Sequence, residues 1–165
     1  MVEIQEMSDD ESKKLLKRVG YGHLALVREA HPYVVPIHYA YDEPHVYIYT
    51  TEGKKTDIIK ANPAVCLQVE DVTDGNHWQS VIITGNAVQL TAKKETERAM
   101  KFILAANPRL TPALSLHWMD DWVRSNFEVV YRITPTAMTG RTTVERSKKP
   151  VSAGHRAPRR GSDIL

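Results

Sequence analysis

The sequence predicts a mainly β protein, a small antiparallel barrel of six strands with peripheral helices. Six short segments are rich in β-branched and aromatic residues and are bounded by turn residues. The first three follow one another closely, which is typical of a meander that begins a barrel. The helical segments are too few and too unevenly spaced for repeated βαβ units. The predicted strands span residues 23–28, 33–41, 45–50, 64–72, 81–90 and 128–134.

Helix signals lie before and between these strands. Ser8 and Glu11 have the spacing of a capping box, and an apolar stripe at helical spacing follows as far as Gly20. A second helix is predicted over residues 54–61, because the Asn-Pro pair at 62–63 disfavours its continuation.

Two further helices are predicted in the second half of the chain. Thr91 is expected to cap the first of them, and its core face is expected to hold Ala99, Met100, Ile103 and Leu104. Trp118 and Trp122 lie four residues apart, on one face of a short helix. Packing in the core or between subunits is the usual role of such a pair, and a lid over a cofactor groove is the alternative.

Length and composition indicate one ordinary globular domain. The 165 residues are 42% hydrophobic and 25% charged. Cys66 is the only cysteine, which excludes a disulfide framework and a cysteine-based metal site. The sequence contains no apolar run of membrane-spanning length and no secretory leader, so a soluble cytoplasmic protein is expected.

The basic charge is concentrated at the carboxyl end. Residues 141–165 hold seven basic and two acidic residues, a local charge of +5, whereas the other 140 residues carry 15 basic and 18 acidic groups, a charge of −3. We therefore predict a domain over residues 1–140 and a basic, disordered tail over residues 141–165. A role in nucleic-acid binding is not expected, because no aromatic residue interleaves with the basic ones.

The junction between the third strand and the following helix combines hydroxyls and cations. Thr50, Thr51, Gly53, Lys54 and Lys55 lie where a helix would begin. Unpaired amides at a helix start, threonine hydroxyls and lysine ammonium groups together suit a phosphate. The alternative is that Thr51 only caps the helix and that the lysines form a solvated face.

Other candidate chemistry finds less support in the sequence. Ser80 has no evident base and orienting acid for a catalytic triad. No pair of histidines has helical metal-binding spacing, so no metal site is predicted. The histidines considered are His23, His31, His38, His45 and His77.

Five motifs in a fixed order give the sequence a specific resemblance. They are Gly22-His-Leu-Ala, Pro32-Tyr-Val-Val-Pro-Ile, Val46-Tyr-Ile-Tyr-Thr-Thr-Glu-Gly-Lys-Lys, Asn62-Pro-Ala-Val-Cys and Trp78-Gln-Ser-Val-Ile-Ile-Thr-Gly-Asn-Ala. Over residues 8–140 the chain resembles the pyridoxamine 5'-phosphate oxidase-like, FMN-binding split barrels. It is most similar to the nitroimidazole-resistance (Nim-type) branch, which its ending Arg132-Ile-Thr-Pro-Thr-Ala-Met-Thr-Gly140 also matches.

The resemblance implies a homodimer that holds FMN in a groove between its subunits. The strand that would lie along the isoalloxazine ring contains Val34, Val35, Pro36, Ile37 and His38. The phosphate and ribityl end would be held by Tyr49, Thr50, Thr51, Lys54 and Lys55. Further contacts would come from Trp78, Ser80 and Val81. A flavin needs an apolar wall, amides for its polar edge and a cationic pocket for its phosphate, which these residue types offer.

The sequence departs from the Nim-type pattern near the phosphate site. A histidine usually occupies the position of Tyr49, an arginine often occupies that of Lys54, and the segment before Gly53 is one residue shorter. Lysine still pairs with phosphate as a point charge, so the departure bears on nitro reduction more than on flavin binding. His38 is the candidate catalytic residue on the substrate side, and a purely structural, hydrogen-bonded histidine is its alternative.

The predicted function is that of an FMN-dependent oxidoreductase acting on a small organic substrate, with a nitroaromatic as one candidate. The electron donor would be a reduced nicotinamide or another small donor, and deazaflavin could replace FMN. One alternative is a haem-binding or haem-degrading split barrel, with His38 or His155 as axial ligand. The other is a non-catalytic dimer that binds a small ligand.

Overall fold

The computed structural model describes residues 2–108 and 128–145. Within these residues the chain forms seven strands and three helices. In chain order they are β1 (Val2–Glu6), α1 (Asp9–Val19), β2 (Tyr21–Arg28), β3 (His31–Asp42), β4 (His45–Thr51), α2 (Lys54–Ala61), β5 (Ala64–Asp74), β6 (His77–Gln89), α3 (Lys93–Ala106) and β7 (Glu128–Glu145).

Six of the strands close into a ring. The sheet order is β1-β7-β4-β3-β2-β5-β6, and β6 pairs in addition with β7. Each of the strands β2 to β7 is therefore paired on both sides, and the six form a closed ring. Every pairing is antiparallel. The predicted six-stranded antiparallel barrel is confirmed.

The seventh strand, β1, was not predicted from the sequence. It pairs with the end of β7, with Val2 opposite Glu145 and Glu6 opposite Arg141. As a result β7 continues to Glu145, beyond the predicted end of the strand at residue 134 and beyond the predicted domain boundary at residue 140. The remainder of the predicted tail, residues 146–165, lies outside the described residues, as does the predicted helix with Trp118 and Trp122.

Helix α1 has the ends that the sequence predicted. The Ser8 hydroxyl accepts a hydrogen bond from the Glu11 amide, and the Glu11 carboxylate accepts one from the Ser8 amide at 2.7 Å. This contact lowers the pKa of Glu11. The helix ends at Gly20, whose left-handed backbone (φ 68°) favours glycine. Of the three helices in the described part of the chain, none is long and apolar enough to cross a bilayer.

The core lies inside the ring, where alternate side chains of the strands meet. Its largest fully buried members include Tyr39, Tyr131, Leu24, Leu67, Ile83 and Ile133. Leu15 and Leu16 of α1 pack against this core. The Tyr39 hydroxyl donates a hydrogen bond to the Leu16 carbonyl at 2.9 Å, which ties the helix to the barrel.

Two predictions about later elements have different outcomes. A glycine inside a predicted strand, such as Gly85, indicates a bulge or a close backbone approach, and the structure shows both: Gly85 lies beside a register shift between β6 and β7, and a Cβ there would collide with the Thr134 carbonyl. The predicted start of α3 is wrong, because the cap position is Ala92 and no side chain caps the helix. Leu104 is 50% exposed and lies off the buried face, which holds Ala99 and Ile103.

Candidate functional site

The junction between β4 and α2 is organised by a hydrogen-bonded turn. The Thr56 hydroxyl accepts a hydrogen bond from the Gly53 amide at 2.9 Å and donates one to the Gly53 carbonyl at 2.8 Å. Thr56 is fully buried, so this contact fixes the first turn of α2. The cap position is Gly53, which leaves Thr51 outside the helix; the alternative in which Thr51 caps α2 is wrong.

Lys55 is the half-buried cation of this junction. Burial lowers the pKa of its ammonium group. Among the described residues no carboxylate lies within ion-pair distance of it, whereas Lys60 of the same helix pairs with Glu52 at 3.1 Å. A partly desolvated cation without a counterion is stabilised by any anion that reaches it. The junction can therefore bind an anionic group.

Lys54 connects the same junction to the beginning of β3. Its side chain is exposed, and its ammonium nitrogen lies 4.5 Å from the centroid of the Tyr33 ring. A cleft of about 470 Å³ opens between this contact and the turn that joins β2 to β3. Its lining residues are Arg28, Glu29, His31, Pro32, Tyr33, Lys54, Asp57 and Ile58.

The predicted flavin wall on β3 has two faces. Val34, Pro36 and His38 lie on the outer face, where Val34 is 59% exposed. Val35 and Ile37 turn their side chains toward the core, so only their backbone groups are available on the outside. Because of this alternation, a ligand on the outer face could contact both apolar side chains and backbone peptide groups.

Two of the predicted polar residues have well-defined partners. His38 is exposed, and its Nδ1 lies 3.2 Å from the Asn107 Oδ1 atom. Tyr49 is half-buried, and burial together with the Glu128 carboxylate raises the pKa of its hydroxyl to about 12. Tyr49 is therefore a neutral hydroxyl at physiological pH. Thr50 lies beside it and is almost completely buried.

The predicted residues on β6 lie apart from the others. Trp78 and Ser80 are half-buried, and Val81 is a fully buried core residue that offers only its backbone. The strands β5 and β2 separate β6 from β3, a distance of roughly 14 Å at ordinary strand spacing. A single subunit thus brings together the β3, β4 and α2 residues but does not bring Trp78 and Ser80 to them.

Several residues next to the site were not identified from the sequence. Tyr33 contacts Lys54 and belongs to a motif that carries the resemblance, so its position was available as a signal. Tyr21 and Asn107 contact His38 across the fold, and no local pattern indicates either contact. In the described part of the chain no three His, Cys, Asp or Glu side chains are grouped so that they could hold a metal ion.

A closed six-stranded antiparallel ring with helices at its junctions defines the split-barrel class of folds. The chain belongs to the pyridoxamine 5'-phosphate oxidase family, whose family model matches residues 8–142.

Known proteins resemble this chain at several levels. An uncharacterised protein of Rhizobium meliloti strain 1021 is 33% identical over 89 residues, which span 54% of this chain and 59% of that protein. The crystal structure of a FAD-binding protein from Mesorhizobium loti is 28% identical, with a TM-score of 0.71, and the match covers 88% of this chain and 100% of that one.

Two more distant structures share the fold. A candidate 5-nitroimidazole antibiotic resistance protein from Bacteroides thetaiotaomicron is 18% identical, with a TM-score of 0.67 and coverage of 87% of this chain and 89% of that one. A haem-binding protein from Mycobacterium smegmatis is 13% identical, with a TM-score of 0.61 and coverage of 78% and 51%. At these identities the likeness concerns the barrel and not its ligand.

Proposed function

We propose that this protein is an oxidoreductase that binds a flavin, with FMN as the cofactor and its phosphate at the β4–α2 junction. The observation that carries the proposal is Lys55, a half-buried cation with no carboxylate partner among the described residues. A phosphate monoester carries close to two negative charges near neutral pH and would supply the missing counterion. Membership of the pyridoxamine 5'-phosphate oxidase family and the similarity to a FAD-binding protein support a flavin.

The residues present fit such a cofactor. Thr50, Thr51, Lys54 and Lys55 would hold the phosphate and the neighbouring ribityl group, and Tyr49 would contribute a neutral hydroxyl. Val34, Pro36 and the backbone of β3 would form the wall against the isoalloxazine ring. When bound, the flavin supplies hydride and single-electron transfer, so the protein's own part is to bind, orient and exclude water. The substrate class that we propose is a small organic molecule, with reduced nicotinamide as electron donor.

A homodimer is part of the proposal. Trp78 and Ser80 lie about three strand spacings from β3, and a second copy of the chain would bring these side chains to the cofactor that β3 of the first copy holds. Val34 and Ile82 expose apolar surface on the outer face of the sheet, at 59% and 43%. Covering this surface is a reason for two copies to associate. Analytical ultracentrifugation of the protein as purified tests this part directly.

The decisive experiment compares two lysines of α2. Lys55→Ala should weaken FMN binding by about 10- to 100-fold, the range expected when one charged hydrogen-bond partner is lost. Lys60→Ala is the matched control, because Lys60 is exposed and already paired with Glu52. Isothermal titration with FMN after removal of bound cofactor gives both affinities. Equal affinities of the two variants would contradict the proposed phosphate site.

The absorption spectrum of the purified protein separates flavin from haem. A flavin gives a yellow protein with two broad visible bands, whereas haem gives one intense band near the ultraviolet. The haem alternative is favoured only by the distant likeness to a haem-binding barrel. Mass spectrometry of the small molecule released by heat then distinguishes FMN from FAD and deazaflavin.

A further inference from the structure

The orientation of the Asn107 side chain is fixed by the backbone around it. Its Nδ2 donates hydrogen bonds to the carbonyls of Tyr39 at 3.0 Å and Ile103 at 3.2 Å. The opposite orientation would place an amide oxygen against two carbonyl oxygens, which is unfavourable. The Oδ1 atom is therefore the one that faces His38, 3.2 Å from its Nδ1.

Gln68 has the same relationship to the other histidine of this surface. Its Nε2 donates to the Glu70 carboxylate at 2.9 Å and lies 3.5 Å from the Ser80 hydroxyl. Its Oε1 atom consequently faces His23, 3.2 Å from Nδ1. Two amides on different elements thus present an oxygen to the Nδ1 atom of a histidine.

An amide oxygen can only accept a hydrogen bond, so each Nδ1 must carry a hydrogen. In a neutral imidazole the other nitrogen, Nε2, then has a free lone pair. The two rings flank Tyr21, with centroid distances of 5.4 Å to His38 and 5.8 Å to His23. Tyr21 is the register partner of His38, and His23 is the register partner of Pro36, so both rings lie on adjacent strands.

We propose that His23 and His38 form a pair of proton-exchanging groups beside the β3 wall. Asn107 and Gln68 are their positioning residues, and they leave both Nε2 atoms free to take and give protons. This proposal rests on the proposed flavin function and deepens it. When an acceptor molecule is reduced at the site, an imidazolium Nε2–H bond breaks and an O–H or N–H bond forms in the product. The neutral imidazole is then reprotonated by the solvent, which leaves hydroxide or the conjugate base of a buffer acid as the other product. Other titratable groups on this face of the described chain include Tyr21, Cys66 and Glu70.

The tautomers can be measured in the protein without cofactor. Long-range ¹⁵N–¹H spectra of labelled protein, recorded at a pH where the histidines are neutral, should show His23 and His38 with the proton on Nδ1. Gln68→Ala removes the acceptor of His23 alone, so His23 should shift toward the Nε2–H form that free histidine favours, while His38 is unchanged. Nε2–H signals for both histidines in the unsubstituted protein would overturn the proposal.

A second variant addresses His38. Asn107→Ala should shift the tautomer of His38 and leave that of His23 unchanged. Asn107 also holds two backbone carbonyls, so this variant can lose its fold. Among the described residues the Gln68 side chain hydrogen-bonds only to other side chains, so Gln68→Ala is expected to keep the fold and still tests the tautomer of His23.

Proton delivery is tested with dioxygen, which takes up two electrons and two protons to form hydrogen peroxide. FMN-loaded protein is reduced with dithionite and mixed rapidly with oxygenated buffer over a range of pH. We expect the His23→Gln, His38→Gln double variant, saturated with FMN so that any loss of affinity does not enter, to reoxidise roughly 100-fold more slowly, the lower end of general acid catalysis. His45→Gln is the control, since His45 contacts Tyr47 and Thr134 instead.

The outcomes separate the two proposals. A protein that does not take up FMN refutes the proposed function, whereas the tautomer measurement stands independently of cofactor. An unchanged reoxidation rate and an unchanged pH profile in the double variant would overturn the proton-exchange role.

Discussion

The ammonium group of Lys54 lies over the ring of Tyr33, 4.5 Å from its centroid, and thereby joins the first turn of α2 to the first residues of β3. Lys55, the next residue, is half-buried and has a lowered pKa because of that burial. Two adjacent lysines therefore have opposite energetic roles in the cofactor-free protein. One makes a favourable contact, and the other carries a desolvation cost.

This difference predicts opposite effects of the same substitution on stability. Lys55→Met should raise the free energy of unfolding of the cofactor-free protein by up to roughly 1 kcal/mol, because it removes a partly desolvated charge. Lys54→Met should lower it by about 0.5 kcal/mol through loss of the cation–π contact. Urea denaturation of both variants provides the comparison. A destabilised Lys55→Met protein would show that the charge is already compensated.

The cost at Lys55 also has a predicted pH dependence. A lowered folded-state pKa means that the unfolded chain holds this proton more tightly than the folded protein does. The cost is complete below the folded-state pKa and disappears as the pH rises through the unfolded-state value. The stability gain of Lys55→Met should therefore shrink in alkaline solution, which denaturation curves at pH 7 and about pH 10.5 can measure.

Two tyrosine hydroxyls in the core are expected to contribute differently to stability, which a second pair of matched variants can test. Tyr39→Phe should cost about 1–2 kcal/mol, because the buried Leu16 carbonyl loses its donor. Tyr131→Phe should be neutral or slightly stabilising, because the Tyr131 hydroxyl is buried without a hydrogen-bond partner among the described residues. Thermal unfolding of the two variants distinguishes them. A larger loss for Tyr131→Phe would indicate an unseen partner, such as ordered water.

The bulge between β6 and β7 predicts a strong effect of one added methyl group. Gly85→Ala should destabilise the protein by about 3 kcal/mol, because its Cβ would meet the Thr134 carbonyl in a closed ring that cannot shift easily. Gly75→Ala, at a position where a Cβ meets nothing within 4 Å, should change stability by less than about 0.5 kcal/mol. Denaturant midpoints give both values, and equal midpoints would contradict this account.

His77, at the turn that joins β5 to β6, is predicted to have a raised pKa. Hydrogen bonding and charge from Asp74, with a smaller contribution from Glu145, raise the pKa of His77 above its ordinary value of 6.5. The same contact lowers the pKa of Asp74. The stabilisation from His77 is present below its unfolded-state pKa and is lost as the pH rises through the raised value. That from Asp74 is present above its unfolded-state pKa and is lost on acidification.

An NMR titration of the His77 ring checks this prediction. In Asp74→Asn the pKa of His77 should fall toward the ordinary value, because the carboxylate that favours the imidazolium form is gone. An unchanged His77 would mean that the contact does not persist in solution.

The parts of the fold that depend on neighbouring residues were predictable from the sequence. The hairpin of β3 and β4 and the bounds of α2 follow from local alternation, turn residues and the Asn62-Pro63 break. β1 was not predictable in this way. It has five residues, most of them exposed, and its partner in β7 lies about 140 residues along the chain.

The candidate site was also predictable only where its residues are neighbours in the sequence. The cations and hydroxyls after β4 are contiguous in sequence, so their proximity could be predicted. Whether Lys54 or Lys55 is buried depends on how α2 packs against the barrel, which no local pattern encodes. The contacts of His38 with Asn107 and of His23 with Gln68 join residues far apart in the chain, so the shared tautomer could not be inferred from the sequence.

The pairing of Val2 with Glu145 places the two ends of the described barrel one strand spacing apart, and an ion pair between Arg141 and Glu6 at 3.1 Å lies at the other end of the same strand pair. A short glycine-rich linker could join the two barrel ends, and new termini could be opened at the exposed turn around Gly75. Such a circular permutant would retain every strand pairing of the ring. Attachment points for fluorophores or fusion partners would then lie at the β5–β6 turn instead of beside β1.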